Sequence, residues 1–246
     1  MPGDETVEPV PVTALRPGDV LLMLGTAPSS RLIALVDGGD YSHSAIFDGE
    51  NVLGCVAEGV VSQPIGQFMT EDDLVYLDAW RHVSAEGAAL GDPGQPAAPV
   101  LARARDYLDA HVPYALHDLY LMGLLTVIRR LPSSEVEREL IWLAINGLAA
   151  VADLVDPDRR RGMTCSEYVY RCFTEAGYGI PITGAFSLPS DDDPLRTKAL
   201  QVLARHDPAL AQAAKHWDPS AVVPEFVSPH DLQTSPALRS IGRLRG

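Results

Sequence analysis

Two short stretches carry residue types that could act together as a catalytic pair. MTCSEYVYRCF, residues 163 to 173, holds two of the chain's three cysteines, and DYSHSAIF, residues 40 to 47, sets a histidine among small and apolar neighbours. A thiolate attacks carbonyl carbon well, but it needs a base beside it, and the base needs a group to orient it. From Cys165, apolar residues recur at Val169, Cys172, Phe173 and Ala176, which is helical spacing, with Thr164 as its N-cap. Cys165 then falls in the first helical turn. There the free N–H groups and the helix dipole favour an anion and draw a thiol below its ordinary pKa of about 8.5. Taken alone, Cys165 reads more readily as a buried core residue, the commoner fate of a free cysteine. Cys172, in mid-helix, and Cys55, in a predicted strand, are read as core.

The histidine changes the balance. His43 heads a predicted strand after the Gly-Gly-Asp-Tyr turn, a rigid position at the edge of a sheet. Glu58, in the predicted strand NVLGCVAEGVV (51 to 61), is a carboxylate among aliphatic and small residues. From a neighbouring strand it could accept the imidazole N–H and hold the tautomer. Its plainer reading is a charge at a strand end. His82, His111, His117, His206, His216 and His230 have no comparable setting and are expected at the surface or as caps.

The elements that must position these residues follow a simple order. LRPGDVLLML (15 to 24) reads as a turn feeding a buried strand, and SSRLIALVDGG (29 to 39) as a short helix capped by Ser29 or Ser30 and ended by its glycines. SHSAIFD and NVLGCVAEGVV form a hairpin through Gly49-Glu50, and LVYLDAW (74 to 80) adds a strand. A Gly/Pro-rich loop at 84 to 99 then leads into helical patterning over 100 to 111, 115 to 130 and 133 to 155. The last of these has capping-box spacing at Ser134 and Glu137. The cysteine helix, one or two further helices over 195 to 217, and a turn-rich tail with a final helical turn complete the chain. Strands first and helices later suggest one α+β domain, with residues 84–160 as a loop plus helical insertion.

Residues with this content in this order resemble a known family. TCSEYV, LRPGDVLL and YSHSAIF are similar to three motifs of the NlpC-type papain-like peptidases, but the histidine precedes the cysteine by 122 residues (43 to 165). That order is the circular permutation of the YiiX-like branch, whose relatives include lecithin–retinol acyltransferase. SSRLIALVDGGDYSH, AEGVV and VSPHDLQTSPAL resemble further YiiX-like segments. The resemblance implies a circularly permuted papain-like fold with an antiparallel sheet. It makes Cys165 the nucleophile, His43 the general base and then acid, Glu58 the orienting third member, and Tyr41 a candidate to polarise the carbonyl. The backbone N–H of Cys165 is expected in an oxyanion hole. Asp19, in the Pro-Gly-Asp turn, is read on turn chemistry as structural.

The implied activity is that of a thiol hydrolase, an amidase, peptidase or esterase working through an acyl-enzyme. The substrate would be a small molecule, peptide or lipid-like compound with an amide or ester bond. An acyltransferase using the same triad is the alternative, with the apolar helices at 115 to 155 as a lid or acyl groove; a non-catalytic papain-like binding module is a further one. Bulk properties narrow the field. A chain of 246 residues, 46% hydrophobic and 21% charged, can bury a substantial core. A formal charge of −14 offers no basic stripe for nucleic acid. Three cysteines fit a reducing compartment, and no Cys/His spacing suggests zinc or any cofactor. The first dozen residues have no apolar core of a signal peptide. LYLMGLLTVI (119 to 128) and LIWLAINGLAAVA (140 to 152) fall short of a membrane span, so a cytoplasmic location is expected.

Overall fold

The computed structural model describes residues 7–70, 72–115, 162–182, 193–206, 208, 211–212, 222 and 224–246. Its frame is a six-stranded antiparallel sheet with helices packed on it, an α+β fold. In chain order the strands are β1 (Val20–Gly25), β2 (His43–Phe47), β3 (Asn51–Val56), β4 (Gly59–Pro64), β5 (Leu74–His82) and β6 (Leu238–Arg245). In space they run β4-β3-β2-β1-β5-β6. Helix α1 (Pro28–Asp37) joins β1 to β2, and the short α2 (Ile65–Phe68) joins β4 to β5. Then come α3 (Ala98–Asp109), α4 (Cys165–Glu175), α5 (Pro194–His206) and α6 (Pro229–Gln233).

β1 is the central strand because its aliphatic run can be buried on both sides. Val20 and Leu22 face a helical layer with Ile46, Leu53, Tyr168, Val169 and Phe173. Leu21 and Met23 face a second core with Ala45, Phe47, Val52, Leu77 and Ala79, partly covered by Ile65 and Phe68 of α2. α3 joins the first of these cores through Val100, Leu101 and Ala104, so it packs beside the cysteine helix. The helices expected over 115 to 130 and 133 to 155 lie outside the described residues. Among the described residues, no helix is long and apolar enough to cross a membrane.

Three local expectations need correction. NVLGCVAEGVV is two strands, not one: Gly59 takes a φ of 106°, a value glycine adopts readily, and the chain turns at Ala57-Glu58. α1 starts from Ala27 with Pro28 in its first turn; neither serine is its N-cap. The final helical turn expected at the tail is β6, which pairs with β5 from Leu238 to Arg245. A short Leu/Arg-rich segment of this kind has no strong period of its own, and sheet pairing decided its conformation.

Two buried carboxylates tie the sheet together. Asp19, in the turn before β1, receives two bonds from Arg81 (2.7 and 2.6 Å) and one from the Arg16 N–H (2.7 Å), the structural role read from its turn. Asp78, only 1% exposed at its side chain, accepts the Tyr41 hydroxyl (2.7 Å) and a bidentate grip from Arg243 (2.7 and 3.0 Å), which links β5 to the end of β6. Removing one partner of such a pair strands a charge in the interior. Arg243→Ala is therefore expected to destabilise the fold by roughly 3 kcal/mol, read from urea unfolding. A midpoint unchanged from wild type would show that β6 does not depend on this pair.

Candidate active site

The cysteine helix is positioned by two chain segments lying side by side before it. Met163 donates to Pro113 O (3.1 Å) and Ala115 donates to Met163 O (3.1 Å). This close approach leaves no room at Gly162, where a Cβ would fall 2.6 Å from both Pro113 O and Ala115 N. Val60 N–H in turn binds Val112 O (2.9 Å), anchoring the pair of segments to β4. Thr164 then caps the helix as its spacing predicts. Its hydroxyl accepts from Glu167 N–H (3.3 Å), and the Glu167 carboxylate accepts from Thr164 N–H (3.4 Å), a reciprocal capping box. Glu167 is held further by Arg171 (2.7 Å).

Cys165 is the first residue of this helix and is 3% exposed. Its thiol meets the imidazole of His43, the first residue of β2, in a side-chain hydrogen bond, and it also accepts from the Ser44 N–H. That N–H is free because the β2–β3 ladder runs only from Ala45↔Gly54 to Phe47↔Val52. Where the strands part, the helix start takes the place of the missing partner. Ser166 Oγ lies 3.8 Å from Cys165 Sγ and 3.3 Å from Ser44 Oγ, which fastens the first turn of α4 to β2.

The thiol responds to this setting. Burial pushes it up, but the charge and hydrogen bond of His43, the Ser44 N–H and the Ser166 hydroxyl outweigh burial and bring it down to about 7. Burial pushes His43 down, yet the charge and hydrogen bond of Cys165, with the charge of Asp73, leave it above its ordinary value. The two groups thus favour the thiolate–imidazolium form in each other's presence. The other two thiols behave oppositely: burial raises both Cys55, whose sulfur donates to Met163 O (3.2 Å), and Cys172.

His43 also forms part of the wall of a cavity of about 950 Å³ that includes Met23, Val61, Phe68 and Leu74. The residues at its rim include Glu58, Asp72, Asp73 and Tyr114. Glu58 stands exposed in the β3–β4 turn and shares this cavity with His43, but the carboxylate whose charge raises His43 is Asp73. Tyr41 is buried against Tyr76 and Trp80, and its hydroxyl donates to Asp78 (2.7 Å). His82, expected at the surface, is buried: its ring nitrogens bond Gly179 O and Gln95 (both 2.9 Å), and burial lowers it.

Sequence reading missed the Ser44 N–H, Ser166, Asp73 and Gly54. Of these, Gly54 had a signal, since a glycine inside a strand marks close approach. A Cβ there would lie 3.3 Å from Ala45 Cβ, a tight approach, and 3.7 Å from His43 Nε2, an ordinary contact, so the close packing at Gly54 is against β2.

The combination is an α+β fold with a paired thiol and imidazole at the junction of a helix start and a sheet. No known family profile matches the chain, and no curated protein does. Among solved structures it is similar to the crystal structure of the metalloprotein YiiX from Escherichia coli O157:H7. The TM-score is 0.50 at 17% identity, covering 93% of this chain and 97% of that one. At that identity the likeness is one of fold, and the fold is YiiX-like.

The thiolate of a site so arranged should be populated near neutrality. Iodoacetamide alkylation of Cys165, followed by peptide mass spectrometry, is expected to rise with a midpoint near pH 7. In His43→Ala the midpoint should move upward, because burial then acts with less opposition. An unshifted midpoint in that variant would show the two side chains to be uncoupled.

Proposed function

We propose that the protein is a thiol hydrolase of the permuted papain-like, NlpC-related type, acting on amide or ester bonds with Cys165 as nucleophile and His43 as acid–base. The observation that carries the proposal is the contact between Cys165 at a helix N-terminus and His43, with the thiol drawn down to about 7. A cysteine placed only for packing would resemble Cys55 and Cys172, whose thiols burial raises.

The Cys165 thiolate attacks the carbonyl carbon, forming a C–S bond and a tetrahedral oxyanion. The Cys165 backbone N–H, at the first position of its helix, is the proposed donor to that oxyanion. Collapse breaks the bond to the leaving amine or alcohol, which takes the proton carried by the His43 imidazolium. A water then gives its proton to His43 and attacks the acyl carbon. The C–S bond breaks and the thiolate–imidazolium pair is restored. The third member is a carboxylate of the cavity wall, expected as Glu58, with Asp73 the one whose charge reaches His43.

The YiiX neighbour is a metalloprotein. Among the described residues of this chain, no group of three or more His, Cys, Asp or Glu side chains could hold a metal ion, so these residues do not fit a resident metal. No step here involves one.

With p-nitrophenyl acetate, wild-type protein is expected to give a burst of nitrophenolate and a Cys165-linked acetyl group visible by mass. Cys165→Ala should abolish both, and His43→Ala should lower the rate by on the order of 10²- to 10⁴-fold. Glu58→Gln and Asp73→Asn, compared side by side, identify the third member by the larger fall in kcat. A wild type that forms no adduct with this or any activated ester would overturn the reading.

A further inference from the structure

We infer that the group seated in the cavity beside His43 is an alkylammonium: the substrate carries a positive charge at the end of a short apolar chain. The inference rests on the thiol-hydrolase reading for its chemistry, but it comes from how the cavity handles charge. Several carboxylates elsewhere in the fold are matched to arginines: Asp19 to Arg81, Asp78 to Arg243, Glu167 to Arg171, Asp92 to Arg16 and Asp106 to Arg103. Glu58, Asp72 and Asp73 are not matched in this way, and unlike the other unmatched acids they gather on one cavity. All three face one cavity, none has an ion-pair partner among the described residues, and neither lysine nor arginine occurs among the described residues that line it.

The rest of the lining completes the match. Met23, Val61, Phe68 and Leu74 provide an apolar wall for a hydrocarbon chain, and about 950 Å³ accommodates a ligand well beyond a single methyl or acetyl group. His43 joins the same wall, so a chain lying along the apolar side with its ammonium at the acidic rim directs its other end toward the Cys165–His43 pair. An anionic chain would meet three like charges at that rim, which is how such a site discriminates.

The first test is binding, because it needs no turnover. Hexylammonium, 1-hexanol and hexanoate, the same chain with three charges, would be titrated into wild-type protein and into Asp72→Asn, following chemical shifts of residues lining the cavity. An exposed carboxylate–ammonium pair shifts affinity by a factor of roughly 1.5 to 5, so three together should favour hexylammonium over 1-hexanol by on the order of tenfold. Hexanoate should bind more weakly than either. The preference should shrink in Asp72→Asn and nearly vanish at about 1 M salt, where the screening length is about 3 Å. Equal binding of the three probes, or tighter binding of hexanoate, would overturn the inference whether or not the protein is a hydrolase.

The second arm separates this from the activity. Matched p-nitrophenyl esters of 6-aminohexanoic, heptanoic and adipic acids should rank in the same order in kcat/KM. Hydrolysis of all three at equal rates would overturn the substrate class and leave the thiol hydrolase standing. Charge-selective binding with no hydrolysis of any ester would do the reverse. Nα-acetyl-lysinamide and dodecylammonium, run beside hexylammonium, tell the sources apart. The amino-acid derivative binding as tightly as hexylammonium assigns a basic peptide, and the long chain binding more tightly assigns an aminolipid.

Discussion

The arrangement at the candidate site depends on a helix that begins where two strands stop pairing. β2 and β3 hold their ladder as far as Ala45↔Gly54 and then part, which would leave the Ser44 N–H without an acceptor in a buried place. A buried donor left unbonded costs on the order of 1–3 kcal/mol, so the gap has to be filled by something that accepts. The Cys165 sulfur fills it, and a thiolate fills it better than a thiol. The backbone requirement and the chemical one therefore point the same way. The sheet gains an acceptor, and the sulfur gains a donor that favours its anion. The capping box below it, the Ser44–Ser166 contact and the paired segments through Met163 all serve to keep that helix start in register with β2.

The two opposing influences on the thiol show which one governs. Burial is the larger single influence on Cys165, and it acts against the anion. Cys55 and Cys172 show what burial does when little opposes it, since both are raised. The difference is not depth, because all three are buried. It is the imidazole, with the N–H and hydroxyl beside it, that reverses the sign at Cys165. Desolvation then strengthens the pair once formed, since charges in contact interact more strongly away from water. The low exposure that would make a lone cysteine inert is what couples this one to His43.

Much of this was legible from residue order alone, and the failures have physical causes. Cys165 at a helix start was readable because Thr164 and the apolar spacing after it are local signals, and the turn before β1 was readable from Pro17-Gly18-Asp19. Glu58 was assigned to a strand because eleven residues from Asn51 to Val61 are nearly all strand-compatible; only the positive φ of Gly59 breaks them. Asp73 was invisible because it reaches His43 across β1, and no sequence spacing encodes a relation between strands that are not neighbours in the chain. β6 was missed for a related reason, since its conformation comes from pairing with β5 more than 150 residues earlier. His82 looked like a surface residue because its partners, Gln95 and Gly179, come from separate loops.

The handling of acidic residues connects the fold to the site. A chain with a formal charge of −14 must either expose its carboxylates or neutralise them. At Asp19 and Asp78 it neutralises them with arginine, and the pairs hold β1, β5 and β6 in register. Such pairs stabilise only when both partners are present and well placed, so a fold that uses them is committed to their geometry. At the cavity beside His43 three carboxylates stand without an arginine partner among the described residues, where a bound ligand could supply the missing charge. Their field has a second effect, because a negative rim favours the protonated imidazole, and Asp73 acts on His43 in that direction. A cationic ligand entering the rim would weaken that influence as it binds. On the proposed reading, substrate binding and the proton affinity of His43 are linked through the same carboxylates. The imidazolium would become the better acid as the ligand seats, when the leaving group needs its proton.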